Sequence, residues 1–319
     1  MTALDLGRPV VVTGGAGAIG AILVRALLDR GATVRVVDNF SSGRREHLPD
    51  PEVVPHLSVV DADIRTRSTF ESAMAGAGSV WHLAANPDIR RGTEEPNLDL
   101  EHGTIGTANV LEAARRSDVP HVLFSSSSVV YGFPTQFPTP ESYGPLMPQS
   151  LYGASKLASE GLVSAYAHCY GMRGTIFRFA NIIGPAMTHG VIFDFFRKLE
   201  RAPDRLEVLG DGRQSKSYLT TEDCVAAMLV AAERGAGPVE AYNLGTRDRT
   251  SVREIAERVV AATGGRATIE YTGGDRGWTG DIPQQLLAID RITALGWTPR
   301  WTSTEAVDRT VRALADRRS

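Results

Sequence analysis

The sequence predicts an α/β fold: a parallel sheet wound in both directions, covered by helices on both faces, with a smaller α/β substrate-binding region at the C-terminal end. Three observations lead there. Short β-branched runs alternate with helical periodicity through residues 9–180. Those runs are apolar throughout rather than alternating, as strands buried on both sides must be. After residue 181 the rhythm loosens, Gly and Pro become more frequent and the connections lengthen. The predicted units are therefore 1–180 and 181–319, partly interleaved, with any cleft at their seam.

The first strand is PVVVT (9–13), and a glycine-rich turn follows it directly. Gly14, Gly17 and Gly20 stand between that strand and a helix read from AIGAILVRALLDRG (18–31). A pyrophosphate needs a tight turn, bare backbone N–H groups and a helix N-terminus, and glycines permit that approach. A glycine-rich turn with no ligand is the plainer alternative. The second strand, TVRVVD (33–38), ends on Asp38, about twenty residues beyond the turn, where a carboxylate accepts from both ribose hydroxyls of an adenosine. It also repels a 2′-phosphate, so NAD is expected over NADP. Arg44 and Arg45 follow in SSGRR and read as solvated surface. The third strand, LSVVD (57–61), leads to Asp63 and Ile64, which suit the amino edge and face of adenine; a strand-end cap is the alternative. SVWHLA (79–84), HVLFSS (121–126) and TIFRFA (175–180) continue the sheet, and GTANVLEAARRS (106–117) is a helix between them. The arrangement is a doubly wound sheet of the Rossmann type.

Composition removes several function classes. The chain has 319 residues, 42% of them hydrophobic, enough for a large core. A net charge of −3 predicts neither a nucleic-acid partner nor an anionic membrane surface. Cys169 and Cys224 give no disulfide framework, and the seven histidines never fall at metal-ligand spacing, so no metal is expected. The N-terminus lacks a basic stretch followed by a long apolar run, and a cytoplasmic protein is expected.

The chemistry concentrates in two stretches. FSSSSVVYG (124–132) puts serines at a strand end, and QSLYGASK (149–156) puts Tyr152 four positions before Lys156. At that spacing both project from one helix face. A neighbouring ammonium favours the phenolate and lowers the tyrosine pKa toward operating pH. An oxidised nicotinamide, itself positive, would push the same way. Each residue alone has an ordinary reading: a core-edge aromatic, a surface charge, a turn cluster. Their order along the chain, after a nucleotide loop, carries the inference.

In these motifs the chain resembles the extended short-chain dehydrogenase/reductase family, most closely its UDP-glucose 4-epimerase-like sugar-nucleotide enzymes. TGGAGAIG, VVDNFSSG, DADIR, HLAA, SSSSVVYG and YGASK resemble the cofactor half. RFANIIGP, HGVIFDF, LEVLGDGRQSKSYL and RGWTGDIP resemble the sugar-nucleotide half. The resemblance implies NAD contacts at Gly14, Gly17, Ala18, Ile19, Gly20, Asp38, Asn39, Ser41, Ser42, Gly43, Asp63, Ile64, Leu83, Ala84, Ala85, Tyr152 and Lys156. It implies a catalytic trio: Tyr152 as base, Lys156 holding the nicotinamide ribose and tuning the phenol, and Ser127 positioning the sugar 4-oxygen. Substrate contacts would fall on Ser127, Asn181, His189, Val191, Ile192, Lys216, Tyr218, Arg276 and Asp281. Lys216 stands where many relatives carry Arg, which keeps a point charge for the diphosphate but loses the bidentate fork.

The resemblance also sorts the reactions. Family 4,6-dehydratases carry an Asp–Glu pair after the serine position, and sugar-acid decarboxylases a Glu two residues before the YG tyrosine; here Ser128 and Val129 hold those places. Without a second acid/base, elimination lacks its proton shuttle. The expected function is NAD-dependent 4-epimerisation of a UDP-sugar of the UDP-glucose/UDP-galactose type, through a transient 4-keto intermediate. A 4-epimerase of UDP-glucuronate or UDP-GlcNAc, or another C4-oxidising nucleotide-sugar enzyme, stays open. So does a catalytically silent NAD-sensing scaffold. Gly103 replaces an Asn that relatives carry three residues before GT, and Gln285 aligns where the family adjusts room for 2-N-acetyl sugars. A homodimer pairing the helices near 97–117 and 151–169 is expected from the resemblance.

Overall fold

The computed structural model describes residues 4–277 and 280–318; Trp278 and Thr279, inside the RGWTGDIP motif, lie outside the described residues. Seven parallel strands form the central sheet: β1 (Val10–Thr13), β2 (Val34–Asp38), β3 (Leu57–Asp61), β4 (Ser79–His82), β5 (His121–Ser127), β6 (Arg173–Phe179) and β7 (Val239–Leu244). Their order is β7-β6-β5-β4-β1-β2-β3. Six of them sit on the runs read from the sequence. The seventh returns from beyond residue 181 to pair with β6, Val239 opposite Gly174 and Leu244 opposite Phe179. Its VEAYNL carries Glu240 and Asn243 and is fully buried only in its last three residues, so its apolar pattern is weak.

The helices follow from which valines point where. α1 (Ala18–Leu28) and α5 (Thr221–Arg234) cover one face, while α2 (Gly106–Arg116) and α3 (Leu151–Tyr170) cover the other. Val10 and Val12 join Leu23, Leu27, Val225 and Met228 in one core; Val11 joins Val110, Leu111 and Val163 in the second. Successive strand residues thus feed opposite layers. A third core belongs to the C-terminal region, where α4 (Val191–Arg201), α6 (Val252–Ala262) and α7 (Ser303–Asp316) enclose a small parallel pair, 205–208 with 268–271. Capping boxes at Ser251–Glu254 and Thr302–Glu305 start α6 and α7. No helix among the described residues is long and apolar enough to cross a membrane.

β1 and β4 are neighbours whose onward connections run to opposite sides, so a crevice opens at their carboxyl ends. His82 closes the floor of that crevice. Its ring nitrogens bond Thr13 Oγ1 at 2.7 Å and Thr107 Oγ1 at 2.9 Å, tying β1, β4 and α2 together. Burial, with the nearby Lys156 charge, lowers its pKa to about 3, so the ring is neutral at physiological pH.

A buried ion pair locks α3 to the sheet. Arg178 on β6 gives Glu160 on α3 two bonds, Nε at 3.0 Å and Nη2 at 2.7 Å, and Ser126 Oγ donates to the same carboxylate at 2.5 Å. Arg178 Nη1 also reaches the Tyr131 hydroxyl at 2.9 Å, which donates onward to Asn243 Oδ1 at 2.8 Å. Removing one partner of such a pair leaves an uncompensated charge in the core. Arg178→Met should cost about 3–5 kcal/mol of stability, and the double change Arg178→Met with Glu160→Leu should recover most of it. Urea unfolding midpoints check this; equal loss in single and double variants would show that the pair is not the strut.

Candidate active site

Gly14 adopts φ +71°, and its N–H donates to Val37 O at 2.9 Å. A Cβ there would stand 2.7 Å from Ala84 N, and a Cβ on Gly20 would run into Gly14 O. The turn is therefore as tight as its glycines allow. α1 begins at Ala18 with Gly17 as its cap, and no side chain caps it. Its first N–H groups are left for an anionic group, as a pyrophosphate requires. Asp38, at the end of β2, accepts Ala16 N and Phe40 N, each at 2.9 Å. Those bonds fix the carboxylate, and each oxygen keeps a lone pair for a ribose hydroxyl. The 39–43 segment folds over the turn so closely that a Cβ on Gly43 would be 2.8 Å from Ala16 C. Beside it Asn39 Nδ2 donates to Asp63 at 3.0 Å. Arg65, bonded to the same carboxyl, holds it well below the usual carboxylate range.

These groups line a cavity of about 720 Å³ that runs from the glycine turn to the C-terminal region, within the usual range for ligand sites. Every cofactor residue read from the sequence faces it, from Gly14, Gly17, Ala18, Ile19 and Gly20 through Asn39, Ser41, Ser42 and Gly43 to Ile64, Leu83, Ala84 and Ala85. Ser127, Tyr152, Lys156, Asn181, His189, Val191, Ile192, Lys216, Tyr218 and Asp281 face it too. Arg276 does not line it; the guanidinium lies 4.7 Å over the Phe133 ring instead.

Ser150 caps α3 by accepting from Gly153 N at 3.1 Å, which sets Tyr152 and Lys156 in the first turns. Lys156 is buried. Its Nζ donates to Ser125 O at 2.6 Å and lies 4.8 Å over the Phe124 ring. Burial pulls its pKa down to about 8, against the opposing charges of Asp99 and Glu160. Tyr152 departs from the sequence expectation: burial, and then Asp99, raise the proton affinity of the phenol. The reason is geometric. The Lys156 ammonium is turned to a carbonyl, 5.6 Å from the centre of the tyrosine ring, and desolvation outweighs it. Ser127, in extended conformation, accepts weakly from Val129 N at 3.4 Å. Its neighbour Ser128 is buried and accepts from Gln285 Nε2 at 2.7 Å.

On the far wall, Lys216 Nζ meets Asp281 Oδ1 at 2.6 Å, and Asp281 Oδ2 accepts from Gly277 N at 3.1 Å. Burial and Asp281 raise the pKa of the Tyr218 phenol. Asn181 Nδ2 reaches Ser217 O at 3.3 Å and Gln285 Oε1 at 3.4 Å. His189 precedes Gly190, whose φ of +97° turns the chain into α4 at Val191. Arg197, Lys198 and Arg201 of α4 add cations to the rim. Sequence reasoning missed these, along with Asn86 on the cavity wall and Asp99 behind it; one carboxylate in EEPNLDLEHG carries no distinguishing spacing. The Gly103 position has no room for a side chain, because a Cβ would run into Ser155 Oγ on α3.

Comparison with known proteins agrees with this geometry. The sequence pattern of the NAD dependent epimerase/dehydratase family matches residues 10–245. A UDP-glucose 4-epimerase of Mycolicibacterium smegmatis is 33% identical over 94% of this chain and 96% of its own. The crystal structure of a UDP-galactose 4-epimerase is 40% identical and superposes with a TM-score of 0.87, covering 97% of this chain and 99% of that one. UDP-glucose 4-epimerase of Thermotoga maritima, crystallised with UDP-glucose, is 30% identical with a TM-score of 0.87, covering 98% and 100%.

The glycine turn gives a direct test. Gly14→Ala forces a left-handed residue, about 1–2 kcal/mol, onto a position already in contact with Ala84. Dinucleotide affinity measured by titration calorimetry should fall about tenfold or more. Unchanged affinity would mean that the turn does not hold the phosphates.

Proposed function

The chain belongs to the NAD dependent epimerase/dehydratase family, and from that membership we propose that it interconverts the C4 epimers of a UDP-sugar of the UDP-glucose/UDP-galactose type. The observation that carries the reading is the meeting of Ser127, Tyr152 and Lys156 in one cavity, between the phosphate turn and the Asn181, Lys216 and Asp281 wall. The turn and the start of α1 would hold the pyrophosphate of NAD, and Asp38 the adenosine ribose. Bound NAD supplies a hydride acceptor that gives the hydride back within the same turnover.

The remaining work belongs to the chain's own groups. Tyr152 takes the proton of the sugar 4-hydroxyl and later returns it. Lys156, held on Ser125 O, presents a positive charge beside the phenol and a donor for the nicotinamide ribose. Ser127 Oγ orients the 4-oxygen. Lys216 and Asn181 grip the diphosphate, so that the 4-keto sugar can turn about that anchor and present either face of C4 for the hydride's return, with the 4-oxygen within reach of Tyr152. Elimination is disfavoured by the turn 127–131, which carries no carboxylate; Ser128 is bonded to Gln285, and Val129 is apolar.

We read residues 1–180 as the NAD unit and 181–319 as the nucleotide-sugar unit, interleaved where α5 and β7 return to the sheet. We also propose a homodimer. Leu100, Ile105, Leu151 and Tyr170 are exposed on and beside the helices expected to pair, which supports that surface. Cys169 and Cys224 are unpaired, which supports a cytoplasmic setting.

Two measurements check the reading. Tyr152→Phe should lower turnover of UDP-glucose and UDP-galactose about 10²–10⁴-fold or more while NAD stays bound. Proton NMR of the C4 configuration reads this, with UDP-GlcNAc and UDP-glucuronate run alongside; normal turnover in the variant would refute the assignment. Leu151→Glu should convert the dimer to monomer in sedimentation velocity, and an unchanged sedimentation coefficient would place the interface elsewhere.

A further inference from the structure

Asp99 closes the short helix Pro96–Asp99 and stands just before a π-helical turn, Leu100–Ile105. It is 1% exposed. Its Oδ1 accepts from Asn86 Nδ2 at 2.9 Å, and its buried Oδ2 has no hydrogen-bond partner among the described residues. Gly92, in the helix Ile89–Glu94, lies so close that a Cβ there would collide with that Oδ2. A glycine inside a helix and a half-satisfied buried carboxylate both cost stability. Structures that keep such features at a cleft commonly do so for function.

The turn that follows Asp99 lies along the catalytic helix. Gly103 packs against Ser155, and Ser159 Oγ donates to Gly103 O at 3.3 Å. The helix that Asp99 ends also packs on the helix bearing Tyr152 and Lys156, and its charge acts on both side chains. The other groups facing Lys156 are Glu160, one turn along α3, and neutral His82 from β4. Asp99 itself faces Lys156, His102 on its own turn and Asp88 after β4.

We propose that Asp99, clamped by Asn86, is a positioning residue for the Tyr152–Lys156 pair: a buried counter-charge that keeps the ammonium charged and holds the phenolic proton until substrate arrives. Its sign of action is fixed. Taking the negative charge away disfavours the ammonium, so Lys156 gives up its proton at lower pH. It also favours the phenolate, so Tyr152 gives up its proton at lower pH as well. Both shifts run in one direction, which a loss of packing would not produce.

Asp99→Asn preserves the shape and the Asn86 contact while removing the charge. In the purified full chain, a titration of the Lys156 Cε signal by carbon-13 NMR should give a value near 8, and a lower one in the variant. In the holoenzyme both limbs of the pH–kcat profile should move toward acid. An unmoved Lys156 titration, or lower activity with unmoved limbs, would overturn the proposal. Burial raises the proton affinity of Asp99 and the Asn86 amide opposes it, so should Asp99→Asn fail to fold, Asn86→Leu favours the neutral acid and must shift Lys156 the same way. The kinetic limbs rest on Tyr152 as the proton-transfer group, whereas the lysine titration does not. A shifted lysine in a protein inactive on UDP-sugars would therefore refute the functional reading and leave the role of Asp99 standing.

Discussion

The pairing of Glu160 with Arg178 decides where the helix bearing Tyr152 and Lys156 lies, and much of the site inherits its position from that contact. Arg178 is held by the Glu160 carboxylate, the Tyr131 hydroxyl and the Glu141 carbonyl at once. Tyr131 hands the constraint to Asn243 on β7, whose amide donates to Thr139 O and Ala288 O. An apolar contact of similar volume would bury as well, but would let the helix slide by fractions of a turn. A planar guanidinium with bonded neighbours on three sides does not. Burial pushes the Tyr131 pKa up to about 12, so that link stays a hydrogen-bond donor through the physiological range.

Above this strut, desolvation governs the charges. His82 is held neutral, Lys156 is brought near the physiological range, and Tyr152 is held protonated, all chiefly by burial. Nearby charges then tune what burial has set. A phenol that stays protonated has no site to accept a proton. A site of this kind gains its base from charge that arrives with the ligands, since a positive ring against the phenol favours the phenolate.

The sequence made the frame legible because its physics is local. Val10, Val11 and Val12 read as a strand buried on both sides, and Gly14 and Gly20 read as a tight turn because no other residue fits there. What stayed hidden depends on partners distant in the chain. β7 reads poorly because Glu240 and Asn243 interrupt its apolar run, and only pairing with β6 makes it a strand. The spacing of Tyr152 and Lys156 predicted a shared helix face, but not that the ammonium would turn to Ser125 O. Asp99 and Asn86 lie 13 residues apart and match no motif; only the fold shows the carboxylate buried and clamped by the Asn86 amide.

The tie between the two halves bears on the reaction itself. Gln285, from the C-terminal region, donates to Ser128 at 2.7 Å, and its carbonyl accepts Ser217 N at 3.1 Å and the Asn181 amide at 3.4 Å. One buried amide thus registers Asn181 and Ser217 against the turn that follows Ser127. With Ser128 bonded to Gln285 and Val129 apolar, the turn 127–131 carries no carboxylate. A step at the neighbouring carbons needs a proton acceptor that this turn does not supply, while one amide holds the turn against the C-terminal region.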